Sequence, residues 1–168
     1  MAPQLQPILT DLQEYWPSIS CPSNSGESDW ESTWNDNGIC TGFTQVQYFT
    51  KALALRSSAD LLNLLADKGI APSSSRSYNR TDVVNAINDG LGGTQTAVLH
   101  CGSNSSSIIR NVRLCTDSTA STFISCSDPT PSTCAEMVTL LPLASTTVED
   151  VSLEDASEFI NPIKMVVS

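Results

Sequence analysis

Residues 29–40 read DWESTWNDNGIC, from Asp29 to Cys40. Trp30 and Trp34 stand four positions apart, the spacing that puts two side chains on one face of a helix. Ser28 and Glu31 form an S-x-x-E pattern, which predicts a capping box at the start of that helix. Gly38 is the predicted end. The two indoles are read as core anchors beneath the helix, because burial of large aromatic surface alone accounts for them. Ser32, Thr33 and Asn37 fill the outward positions, and Asp36 reads as a solvated charge near the helix end. A hydroxyl titrates far above neutrality and an amide does not titrate at all. None of the three exchanges protons as an imidazole does.

The surrounding composition limits what such a helix can serve. Of 168 residues, 15% are charged, and the net charge is −10. That balance excludes a broad phosphate-binding face, which would need clustered Lys and Arg. Weak RNA binding in a small, locally shaped pocket is not excluded. No apolar run approaches the ~20 residues that span a membrane. Six cysteines stand at 21, 40, 101, 115, 126 and 134, with no CxxC pair and a single histidine, His100. A metal site would want closely spaced thiolates or imidazoles, so neither a metal nor another cofactor is expected. The even count reads as a disulfide framework and implies an oxidising compartment. Two N-x-S/T triplets, at Asn79 and Asn104, are candidate glycosylation sites that fit a secreted glycoprotein. The opening MAPQLQPILTDLQ has no basic segment followed by an apolar one, so no signal peptide is read there. Either the true start lies upstream or the product stays off the secretory route.

Outward from the helix, Leu5, Ile8, Leu12 and Trp16 recur at helical spacing until Pro17. TQVQYFTKALALR, from Thr44, reads as an amphipathic helix. Ser57 or Ser58 is the expected cap of the next one, and Thr81 or Asp82 the start of another. After residue 96 the texture changes. AVLHCG, IIRNVRLCTD, TFISCS and EMVTLLPL are short, β-branched and separated by turn residues, and read as strands. Ile109, Val112 and Leu114 break strict alternation, which predicts a bulge or a helix-like start. From Ser145 the chain becomes acidic. The expected organisation is an α+β domain over residues 1–144 and a flexible acidic tail over 145–168.

The opening stretch resembles the second active-site signature of the ribonuclease T2 family, the plant S-like ribonucleases and pistil S-ribonucleases, which reads W-E-H-E-W-x-x-H-G-T-C. Trp30, Glu31, Trp34, Gly38 and Cys40 match it. YWPSISCPSNSG, YFTKALALRSSADLLNLLADKGIAPSSSRSY and VRLCTD resemble further family segments in the same order. The resemblance implies helices packed on a central antiparallel sheet, in a truncated and degenerate member lacking the N-terminal strands. It also implies an endoribonuclease reaction, metal-free, in which a base and an acid carry RNA to a 2′,3′-cyclic phosphate. The family's two histidines in this signature fall on Ser32 and Asn37, its glutamate on Thr33, and a frequent lysine on Asp36. Its other catalytic histidine belongs to an H-G-L-W-P string that is not found here. His100 lies in a predicted strand and is not expected to replace these groups.

The resemblance further implies disulfides Cys101–Cys134 and Cys115–Cys126. Cys21 and Cys40 are left free, paired with each other, or paired to an absent segment. The expectation is a pseudoenzyme, extracellular or vacuolar, serving in storage or RNA binding. A residual ribonuclease completed by an upstream segment is the alternative.

Overall fold

Pro7, which has no backbone N–H to donate, divides the first helical stretch in this computed structural model. Residues 2–18, 25–93, 97–102, 105–126, 131–142 and 163–167 are described, the residues 2, 3 and 163–167 by backbone alone. Helix α1 (Ala2–Leu5) leads through a 3₁₀ turn, Gln6–Ile8, into α2 (Leu9–Tyr15). Helix α3 (Glu27–Thr33) runs on through a π turn, Trp34–Gly38, and a 3₁₀ turn, Ile39–Thr41. Helix α4 (Gln45–Ala59) opens on a reciprocal cap: the Thr44 N–H donates to Gln47 Oε1 at 2.9 Å, and the Gln47 N–H to Thr44 Oγ1 at 3.3 Å. Helix α5 (Leu61–Ala66) follows a break at Asp60. The expected cap at Ser57 or Ser58 is corrected, since both lie inside α4, where the Ser58 hydroxyl donates to the Leu55 carbonyl at 2.9 Å.

Strand β1 (Tyr78–Asn79) enters α6 (Arg80–Gly90), and Asn79 Oδ1 accepts from the Thr81 N–H at 2.8 Å. The cap is therefore Asn79, not Thr81 or Asp82. Strands β2 (Val98–Gly102), β3 (Ser105–Thr116) and β4 (Phe123–Ile124) form an antiparallel sheet in that order, while β5 (Met137–Val138) pairs with β1. The β2–β3 register passes from His100↔Asn111 to Cys101↔Ile109. Arg110 is the extra residue of a bulge, which is why the apolar positions of β3 fail to alternate.

Two cores result. Leu5, Leu12, Trp30, Tyr48 and Phe49 pack between α1–α4. Leu65, Val83, Ile87, Leu99, Leu114 and Val138 fill the space between α5, α6 and the strands. Disulfides Cys101–Cys134 and Cys115–Cys126 tie the strand region, across sequence separations of 33 and 11. The shorter loop is worth about 3 kcal/mol on the chain-entropy account.

The expected flexible tail is altered at its far end. Residues 143–162 lie outside the described residues, but β6 (Ile163–Val167) pairs in parallel with β3. Five residues carry too little periodicity to be told from a tail by sequence. A distant strand edge is what orders them.

One carboxylate organises the β3–β4 turn. Asp117 Oδ1 accepts from the Ser121 N–H at 2.9 Å and the Thr122 N–H at 3.3 Å, and Oδ2 from the Thr119 hydroxyl at 2.8 Å. The Ser121 amide first, then the Thr119 hydroxyl, hold its carboxyl below the usual carboxylate range. A depressed folded pKa gives stability that is complete above the unfolded value, about 3.9, and is lost as pH falls through the folded one. Asp117→Asn should therefore lower Tm at pH 6, and the gap to wild type should close on acidification below pH 4. Thermal melts across pH 2.5–6 check this, and a gap that stays constant contradicts it.

Candidate functional site

Gly26 begins the site. It sits at φ 81°, and its carbonyl accepts from the Asp29 and Trp30 N–H groups at 3.1 and 3.0 Å. Helix α3 thus starts at Glu27 with a glycine cap. The expected capping box of Ser28 and Glu31 does not form, because the chain turns two residues earlier. Glu27 and Asp29 in the first turn suit the positive end of the helix dipole.

Trp30 is fully buried, and its indole N–H donates to the Trp16 carbonyl at 2.9 Å, fixing α3 to the end of α2. Trp34 packs edge-on against Tyr48, with ring centroids 5.7 Å apart, and Tyr48 packs edge-on against Phe49. Burial pushes the Tyr48 phenol above its ordinary pKa. Gly38 does not end the helix as expected. It has ordinary right-handed backbone, φ −82° and ψ −38°, and lies beneath the Trp34 ring. The true stop is Gly42 at φ 76°.

The π turn shapes the outward face. Its i→i+5 bond runs from the Ile39 N–H to the Trp34 carbonyl. Such turns hold more residues than an α turn and recur at functional sites, and they bring positions about five apart onto one side. Ser32, Asp36 and Asn37 are exposed there and Thr33 half-buried. They bond among themselves: the Ser32 hydroxyl donates to Asp36 Oδ2 at 3.2 Å, and the Asn37 amide to the Thr33 carbonyl at 3.2 Å. Hydroxyls, an amide and one carboxylate can orient a ligand, but offer no acid–base pair near neutrality.

His100 lies elsewhere. It is half-buried on β2, opposite Asn111, beside the second core, whereas α3 belongs to the first. Cys40 is exposed with a free thiol, while Cys21 and Asn104 lie outside the described residues. Asn79 is half-buried with its carbonyl oxygen engaged in the α6 cap. Among the described residues no group of three or more His, Cys, Asp or Glu is placed to hold a metal. A concavity of about 360 Å³ between α5 and α6 is lined by Lys68, Tyr78, Asp82, Asn85 and Asp89, and takes nothing from the α3 frame. Sequence reading missed the part played by Tyr48. Its signal was a Tyr-Phe pair at the start of an amphipathic helix, with no cue to which aromatic it would meet.

Residues 2–126 match the sequence model of the ribonuclease T2 family. The chain belongs to the ribonuclease T2 family. Ribonuclease 3 of Arabidopsis thaliana is 35% identical over 121 residues, which cover 71% of this chain and 54% of that one. Intracellular ribonuclease LX of Solanum lycopersicum is 33% identical over 119 residues, covering 71% and 50%. In structure the chain is similar to RNase NT, solved in complex with 5′-AMP, with a TM-score of 0.73 and 26% identity over 85% of this chain and 71% of that one. The mixed helix-and-sheet architecture is thus that of T2 ribonucleases. The chain spans about half the length of the curated relatives it matches. The family match ends at residue 126, so β5 and β6 fall beyond it.

Proposed function

We propose that this chain is a T2-type ribonuclease scaffold without catalytic power of its own. The observation that carries the reading is the outward face of the Trp34–Gly38 turn. Where the family signature has two imidazoles and a carboxylate, this face has Ser32, Asn37 and Thr33, and the first two donate to neighbours on their own helix. The aromatic frame behind them is retained, so what has changed is the chemistry and not the support. Asp36 adds an anion where an anionic phosphate would approach. Together with the net charge of −10, this favours weak RNA binding at most, or accumulation as a storage-type protein. Two disulfides fit an extracellular or vacuolar setting. A glycan on Asn79 would use the amide nitrogen that the helix cap leaves over.

General acid and base groups contribute about 10²–10⁴-fold each. Purified protein incubated with polyuridylate should form 2′,3′-cyclic phosphate ends at least about 10⁴-fold more slowly than an active family member. Turnover at family-like rates by contaminant-free protein overturns the proposal.

A further inference from the structure

Arg76 is set apart from the other basic residues by its backbone. The chain carries 8 Lys and Arg in all, at 51, 56, 68, 76, 80, 110, 113 and 164. Lys51 and Arg56 lie within α4, Arg80 opens α6, Arg110 and Arg113 lie within β3, and Lys164 lies within β6. Lys68 sits in the turn after α5. There the Lys68, Gly69 and Ile70 N–H groups donate to carbonyls of that helix at 3.0, 2.9 and 2.9 Å, and the Lys68 ammonium lies 3.7 Å from Asp89 Oδ2. Arg76 belongs instead to the loop Ala71–Ser77, which has neither helix nor strand and is exposed at every residue but Ser73. Among the described residues, neither the Arg76 nor the Ser77 N–H makes a hydrogen bond. The neighbours Ser74, Ser75 and Ser77 are small, and no proline follows the arginine. A peptide must lie extended in a protease cleft, and an exposed loop with unbonded backbone does so without unfolding anything else.

The base of this loop is pinned across Arg76. The Ala71 N–H donates to Tyr78 Oη at 3.1 Å, and the Tyr78 hydroxyl donates to the Ala71 carbonyl at 2.9 Å. The Ser73 N–H donates to the Leu140 carbonyl at 2.8 Å. These bonds join residues before Arg76 to residues after it, so a break between 76 and 77 leaves them in place. The second core spans the same point: Ala59, Leu65 and Ile70 enter it from one side, and Val83, Ala86, Ile87 and Leu99 from the other. No disulfide can cross it within this framework. Cys101–Cys134 and Cys115–Cys126 lie wholly after Arg76, and Cys21 and Cys40 lie before it.

We propose that the Arg76–Ser77 bond is a processing site for a protease that cuts after a basic residue, and that the cut chain stays folded as two noncovalent pieces. Water adds across the bond, leaving a carboxylate on Arg76 and an amine on Ser77. The α3 face takes no part, so the cleavage does not depend on whether the scaffold turns over RNA.

Trypsin, added in small amount to the full chain in native buffer, is the probe. Intact mass should show residues 1–76 and 77–168 as the first products. The two should elute together on size exclusion and separate on a denaturing gel run without reductant. Arg76→Gln should slow the first cut at least about 10-fold. Tyr78→Phe keeps the ring and removes the hydroxyl that ties Ala71, so the loop base opens more often, and the same cut should quicken about 3- to 10-fold. The proposal is overturned by a first cut after any other basic residue, by an unchanged rate in Arg76→Gln, or by pieces that part in native buffer. A native chain left whole for as long as the unfolded chain takes to be cut at Arg76 overturns it too, as does an unchanged rate in a Tyr78→Phe variant with native near-ultraviolet circular dichroism. Should Tyr78→Phe not fold, the wild-type fragment masses and Arg76→Gln decide.

Discussion

Gly38→Ala should lower the melting temperature by about 4–8 °C, a loss of about 2 kcal/mol in a domain of this size. A Cβ built on Gly38 would lie 2.1 Å from Trp34 Cε3, 2.7 Å from Cζ3 and 2.8 Å from Cδ2. All three atoms belong to a rigid indole that packs edge-on against Tyr48. The ring can move only by giving up that edge-on pair, worth about 0.5–1.5 kcal/mol, and by opening a gap in the first core. Alanine's better helix propensity offers about 1 kcal/mol in return, and overpacking exceeds it. Backbone freedom does not enter, since Gly38 has a conformation any residue adopts. Gly42 is the contrast: φ is 76° and nothing stands within 4 Å of where a methyl group would lie, so its glycine serves conformation alone. A double-mutant cycle separates these causes. In a Trp34→Ala background, Gly38→Ala should be neutral or stabilising. If Gly38→Ala melts at or above wild type with Trp34 present, the close approach of ring and glycine is not what the position is for.

Those two glycines also show where sequence runs short. The existence of α3 and the burial of Trp30 were legible from spacing alone. The cap was not, because Ser28 and Glu31 satisfy a local pattern while Gly26 turns the chain first. Gly38 looked like a stop because a glycine after a helix usually is one, and a π turn leaves no periodic mark in five residues. The strands β2 and β3 were legible from β-branched content, and the bulge at Arg110 from the failed alternation of its neighbours. Strand β6 was not, since its order comes from an edge some fifty residues away in sequence and not from any pattern of its own. The outward face followed the opposite logic. Residue types alone fixed what Ser32, Thr33 and Asn37 can do, and geometry added only that they bond to their own helix.

Introducing Ser32→His, Thr33→Glu and Asn37→His together, with an upstream segment carrying the H-G-L-W-P histidine supplied, should create ribonuclease activity at least about 10²-fold above wild type, the low end of what one proton-transfer group contributes. The aromatic supports of this face do not depend on the three side chains: Trp30 is held by Trp16 and Trp34 by Tyr48. The exposed position of residues 32 and 37 leaves room for larger rings. An imidazole at each place supplies a base for the 2′-hydroxyl proton and an acid for the leaving 5′-oxygen, both titrating near pH 6–7. The pH–rate profile should then be bell-shaped, since one group must be neutral and the other protonated. Either histidine alone should give much less, because a single imidazole cannot hold both states at once. The added carboxylate would sit beside Asp36, where two anions oppose the phosphate, so Asp36→Lys on top of the three should raise activity again, most at low salt, where the new attraction is least screened. Release of cyclic-phosphate ends from polyuridylate, followed across pH 4–8, measures all of this. A folded triple variant that cleaves no faster than wild type would mean that the frame has lost its substrate geometry as well as its proton-transfer groups.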